Sequence, residues 1–398
     1  MSSSPTRAPI AAKSARVPLA QGDFRRNNFD LIRLLAAVQV LFVHAAWHLD
    51  VISFESPVFH VLERLPGVPI FFFVSGLLIS RSYESNSGLE DYSRNRGFRI
   101  YPALWVCFAL SVLSVALTGY FRTVDASFQS VMAWIVAQMT IYQPFNPAFM
   151  DGYGIGNLNG SLWTITVELQ FYVLIPILYF VLRRLPKSWF NPVLLVLIAF
   201  FMLVNVFDQR IWAREFQGTF DFARKVVDTT FLPWVYMFLI GVWVQRNFET
   251  VRNFVQGKWR VPLFLAIYVI VSYVMVDLSK NLGLPGDRGL GLLGNRIDPV
   301  SYLALVLLVM AVAYNAPNLA EKILRRNDIS YGVYIYHMPV VNLLIALGIM
   351  GTAGSLLLAI VVSLALGVCS WVFVERPCLK LKRNALNPLK AFNPKPAT

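Results

Sequence analysis

Residues 30–49 read DLIRLLAAVQVLFVHAAWHL, an apolar run close to the ~20 residues that an α-helix needs to cross a ~30 Å hydrocarbon layer. Asp30 opens it, and Arg33, His44 and His48 interrupt it. Further blocks of membrane-crossing length lie near 66–82, 100–119, 161–182, 191–207, 230–245, 261–277, 299–315, 331–350 and 354–375. Of the 398 residues, 57% are hydrophobic and 14% charged, whereas a soluble domain is ~45–50% apolar and ~25% charged. Lipid is therefore the solvent to reason with. The expected fold is an all-α polytopic membrane protein, a bundle of about 10 transmembrane helices plus one re-entrant or interfacial segment.

That extra segment is 128–142, and charge decides its reading. The formal net charge is +13, but the Lys and Arg fall between apolar blocks, so topology accounts for them and no nucleic-acid partner is implied. If 128–142 does not cross, 25 of the 35 Lys and Arg lie on one side of the membrane. By the positive-inside rule that side is the cytoplasm. If it crossed, every later basic loop would change sides. A re-entrant segment is tolerated only against protein or a water-filled cavity, which points to an opening beside the Gly-, Asn- and Pro-rich loop 143–160.

The same count puts both termini in the cytoplasm. It divides the chain into a disordered tail (1–27), a membrane domain (28–377) and a basic tail (378–398), with a bacterial inner membrane as the expected location. Cys107, Cys369 and Cys378 have neither disulfide nor zinc spacing, and no metal site is expected.

Ionisable groups at membrane depth cost at least ~2.5–3.5 kcal/mol and usually face a bundle interior or a pathway. Arg33 and His44 are eleven residues apart, about three turns, so one helix face carries them roughly 16 Å apart along the axis. The fourth block carries Ser161, Thr164, Glu168 and Tyr172 as a polar stripe, and Glu168 needs a partner, for which Arg33 and the histidines are candidates. In the ninth block Tyr334 and His337 share a face at i,i+3. Plainer readings stand beside these: a snorkelling arginine, histidines that only bridge helices, and a structural ion pair for Glu168.

Taken together, these segments resemble the acyltransferase-3 family of integral-membrane O-acyltransferases. The resemblance rests on Arg33 and His44 in an Arg-x10-His spacing, FFFVSG ending at Ser75 and Gly76, and RGFRIYPALW with Arg96, Arg99 and Tyr101. NGSLWTITVELQFYVLIP with Trp163 and Glu168, SYGVYIYHMP with Tyr334 and His337, and a closing VERP continue it. It implies an O-acetyltransferase that uses a cytoplasmic acyl-CoA, typically acetyl-CoA, as co-substrate and no tightly bound cofactor. The implied acceptor is a hydroxyl of an envelope carbohydrate or glycolipid.

Under that resemblance His44, Arg33 and Glu168 are the expected catalytic residues. Arg81, Arg96, Arg99, Ser75, Gly76 and Tyr101 are expected at the acyl donor, and Asp30, Ser161, Trp163, His48, Tyr334 and His337 at the acceptor. His44 would act as general base or carry the acyl group itself. A transporter or flippase for an envelope glycolipid is the competing reading, since buried Arg, His and Glu also mark transport pathways. Oligomeric state is not encoded in these motifs, although a homodimer is the commonest assembly.

Overall fold

The computed structural model describes residues 26–53, 56–85, 88–208, 226–281, 297–316, 319–325 and 327–385, with Phe24 and Asn295. Most of the expected tails, 1–27 and 378–398, lies outside the described residues. The helices are α1 (Phe29–His48), α2 (Pro57–Glu63), α3 (Gly67–Ser85), α4 (Leu89–Leu117), α5 (Phe128–Met139), α6 (Trp163–Leu182), α7 (Lys187–Phe207), α8 (Val235–Arg246), α9 (Phe248–Val255), α10 (Arg260–Asn281), α11 (Pro299–Asn315), α12 (Leu319–Leu324), α13 (Ser330–Ala346), α14 (Ala353–Ser370) and α15 (Arg376–Ala385). A π-helical turn, Trp371–Glu375, joins the last two. No strand occurs among the described residues.

Seven stretches among the described residues are long and apolar enough to cross a membrane: α1, α2 with α3, α4, α6, α7, α10, and α14 continuing into α15. The other three expected spans form α8, α11 and α13, of 12, 17 and 17 residues. At ~1.5 Å per residue these reach roughly 18–26 Å, short of a ~30 Å hydrocarbon layer. All three are buried around most of their circumference, as expected of helices that are apolar on every side. The outer helices shield them from lipid. Segment 128–142 forms α5, of only 12 residues, in keeping with a re-entrant or interfacial element.

α13 is the axis of the bundle and packs against α1, α4 and α14. Its partner α1 is pinned at its start by Asn28, whose side-chain amide donates to the carbonyls of Val312 and Ala316 at 3.1 and 2.6 Å and accepts from the Ala320 N–H at 2.9 Å. α3 and α8 approach so closely that a Cβ at Gly76 would strike the Phe238 carbonyl, and one at Gly241 the Phe73 carbonyl. Such contacts of small residues are how membrane helices gain dispersion energy without a hydrophobic driving force between them.

The loop before α6 is stapled to α13. Asn342 donates to the carbonyls of Asn157 (2.7 Å) and Leu158 (3.0 Å) and accepts from the Ile155 N–H (3.0 Å), while Asn159 donates to the Ile335 carbonyl (2.8 Å).

Candidate active site

Near the start of α1, four charged side chains converge. Arg33 Nη1 lies 2.5 Å from Asp328 Oδ2, and Arg99, from α4, donates to the same oxygen. Arg99 also lies 3.5 Å from Glu375 at the end of the π-turn. Ser330 donates its hydroxyl to the other Asp328 oxygen at 2.5 Å. Burial alone would raise the Asp328 carboxyl; Arg33, Arg99 and the Ser330 donors outweigh it and hold it well below the ordinary carboxylate range. Asp30 lies within electrostatic reach of this cluster, at the opposite end of α1 from His44 and so away from the expected acceptor site.

Two adjoining cavities run from the cluster into the bundle. One, with an empty volume of about 430 Å³, is bounded by Arg96, Arg99 and Tyr172. The other, about 420 Å³, reaches Phe71, Thr164 and Tyr334. Arg33, Ser75, Glu168 and Tyr331 line both. Glu168 accepts from Tyr172 at 2.7 Å and from Ser75 at 3.3 Å. The candidate pairing of Glu168 with Arg33 or a histidine is thus replaced: Arg33 turns to Asp328, and two hydroxyls donate to Oε1 of the glutamate.

Tyr334 stands between the second cavity and a histidine pair. Its hydroxyl meets Thr164 Oγ1 at 2.9 Å, and its backbone carbonyl lies 2.5 Å from Nδ1 of His337. Nε2 of His337 lies 2.9 Å from Nδ1 of His44. A carbonyl can only accept, so Nδ1 of His337 carries the proton. In the neutral ring its Nε2 is then an acceptor, and the hydrogen between the rings belongs to His44 Nδ1. Nε2 of His44 is left as a lone pair, with no hydrogen bond from the described residues. His337 is fully buried, whereas His44 is partly exposed. The ring is therefore fixed with Nε2 of His44 as its unprotonated nitrogen.

Several expected site residues lie elsewhere. Gly76 is consumed by the α3–α8 crossing, where the Phe238 backbone leaves no room for a ligand. Arg81 stacks over Phe24, with guanidinium carbon and ring centroid 3.7 Å apart. Tyr101 packs at a tilt against Trp105, outside both cavities. Trp163 packs with Trp234 at 5.0 Å, within an aromatic cluster. The Ser161 hydroxyl is turned toward Asn159 at 2.7 Å. His48 lies 6.0 Å from His44, centroid to centroid, and stacks on Trp47. Arg96 lines the first cavity and donates to Ser82 at 3.1 Å.

Asp328 and Glu375 were missed as members of the cluster. Glu375, inside the last apolar block, could have been found by the rule that an acid at membrane depth needs a partner; Asp328, in a short connection, carries no such signal. Among the described residues no group of His, Cys, Asp and Glu is arranged to hold a metal ion.

Residues 26–374 match the family model described as an acyltransferase domain. Nodulation protein 10 of Rhizobium leguminosarum bv. viciae is 33% identical over 369 residues, 90% of this chain and 94% of that protein. An O-acetyl transferase of Shigella phage Sf6 is 27% identical, covering 88% of this chain and 96% of its own. Peptidoglycan O-acetyltransferase OatA of Listeria monocytogenes is 25% identical over 79% of this chain and 49% of its own length. No solved structure matches. The fold and these relatives define a multi-pass membrane O-acyltransferase, and the chain belongs to the acyltransferase-3 family.

Proposed function

We propose that the protein transfers an acetyl group from cytoplasmic acetyl-CoA to a hydroxyl of an envelope carbohydrate, with His44 Nε2 as the catalytic base. The observation that carries this reading is the hydrogen-bond chain from the Tyr334 carbonyl through His337 to His44. In that chain Nε2 of His44 is the nitrogen left to accept a proton.

The acceptor hydroxyl gives its proton to Nε2 as its oxygen bonds to the thioester carbonyl carbon. The C–S bond then breaks, and the proton passes to the leaving thiolate. Arg33 has five N–H donors, of which Asp328 engages Nη1; the residue lines both cavities, and its guanidinium suits a CoA phosphate. Arg96 and Arg99 line the donor end. Glu168, held by Tyr172 and Ser75, orients the middle of the path. With the basic loops placed in the cytoplasm by the positive-inside rule, the Arg33 end is cytoplasmic and the His44 end faces outward. A bacterial inner membrane fits this arrangement, and no tightly bound cofactor is needed.

Purified protein incubated with radiolabelled acetyl-CoA and envelope polysaccharide should place label on the glycan. Movement of unlabelled glycan across vesicles with no acetyl transfer would instead favour the transport reading.

A further inference from the structure

Away from the histidines, α4, α5 and the loop around Phe149 enclose a third cavity, with an empty volume of about 1160 Å³. Trp105, Phe108, Val112, Trp134, Ile135 and Met139 are among its walls, and none of its lining residues is ionisable. It opens at exposed Ala109, on a flank that the fold assigns to lipid.

Two observations give it an occupant. The Trp105 indole donates to the Met139 carbonyl at 2.9 Å, but Trp134, 3% exposed, has an indole N–H with no partner among the described residues. A buried donor without an acceptor is costly, and an amphiphile's ester, ether or hydroxyl oxygen would satisfy it. The cavity also lies at the depth of the histidine pair. Cys107, beside Phe108, donates to the Ile335 carbonyl at 3.3 Å, two positions before His337. Phe149 belongs to the loop that Asn342 staples to α13.

We infer that this cleft holds the hydrocarbon tail of the acceptor, which is therefore an amphiphilic glycolipid presented from within the bilayer. The inference rests on the O-acyl transfer reading for what happens to the headgroup, and not for the tail site itself.

The test is photo-crosslinking in membranes with a dodecyl glucoside carrying a diazirine on its chain, beside a diazirine phosphatidylcholine at equal mole fraction. Glucoside label should concentrate on α4 and α5 peptides. It should fall roughly tenfold in Ala109→Trp, which fills the cleft from a lipid-facing position, the change that losing about two buried methylenes produces. Trp134→Phe keeps the ring and loses the donor, and should weaken labelling by several-fold.

Phospholipid labelling the cleft as strongly as the glucoside overturns the inference and makes the site an ordinary lipid seat. So does absence of label there, which would point to a second copy or a closed cleft. Acetyl transfer to envelope material, followed in parallel, separates the two readings. Cleft labelling with no transfer in the wild type refutes the acetyl-CoA and envelope-carbohydrate reading and leaves a glycolipid tail site standing.

Discussion

Asp328→Asn is the substitution whose consequence the structure fixes best. Two guanidiniums share one carboxylate oxygen, and removing its charge leaves Arg33, among the described residues, with only Asp30 within electrostatic reach and Arg99 with Glu375 at 3.5 Å and Asp30 more distant. Breaking a buried ion pair by deleting one partner costs ~3–5 kcal/mol. Asp328 is 13% exposed and both arginines 18%, and Asn keeps an acceptor for Ser330, so the lower end, about 3 kcal/mol, is expected. At ~2.1 cal/mol/K of unfolding entropy per residue, a chain of 398 residues shifts by ~1.2 °C per kcal/mol, so the Tm in detergent should fall by roughly 4 °C. The pH dependence has a definite sign. The folded carboxyl titrates below its unfolded value of ~3.9, so the contribution is present above that pH and lost as pH falls through the lower, folded value. In a double-mutant cycle, Arg33→Gln should cost ~1–3 kcal/mol less in the Asp328→Asn background than alone. A variant melting within 2 °C of wild type, with additive effects in the cycle, would refute the cluster as a coupled unit.

His337→Phe keeps the ring volume but removes the acceptor for His44 Nδ1, so kcat should drop about 10²-fold through misorientation with KM for acetyl-CoA unchanged; steady-state kinetics on purified protein would show it. Gly76→Ala forces a Cβ onto the Phe238 carbonyl and should destabilise by ~1–3 kcal/mol, read as a lower Tm. Asn342→Ala deletes three hydrogen bonds to residues 155–158; hydrogen exchange in that loop should speed up, with a loss of ~1–3 kcal/mol of local stability.

Much of the fold is legible in the sequence because lipid imposes a simple rule: apolar runs of fixed length, with the misfits turned inward. Positions 30–49 alone show this, and Arg33 and Glu168 both line cavities, as their cost in lipid demands. The sequence is less informative about length. α8, α11 and α13 read as full-length spans and form shorter helices buried inside the bundle. Apolarity alone does not separate a helix packed in protein from one packed in lipid.

The site is legible in its types and not in its pairings. Glu168 could be paired on paper with any nearby cation, and only the fold shows Tyr172 and Ser75 in that place. Asp328, 295 positions from Arg33, is joined to it by tertiary structure alone. His337 could be placed on a helix face from spacing; its contact with His44 could not, since that depends on how α13 is rotated against α1. Gly76 shows the converse. It reads as a ligand contact and marks a helix crossing, while Ser75 before it lines both cavities.

The central claim is that His44 Nε2 is the atom that takes the proton. Membranes containing the wild type or His44→Ala, supplied with radiolabelled acetyl-CoA and envelope polysaccharide, decide it. Loss of a general base costs ~10²–10⁴-fold, so label should fall to background in the variant while its membrane insertion and melting stay close to wild type. Transfer retained within a few-fold in a folded His44→Ala protein would contradict the account.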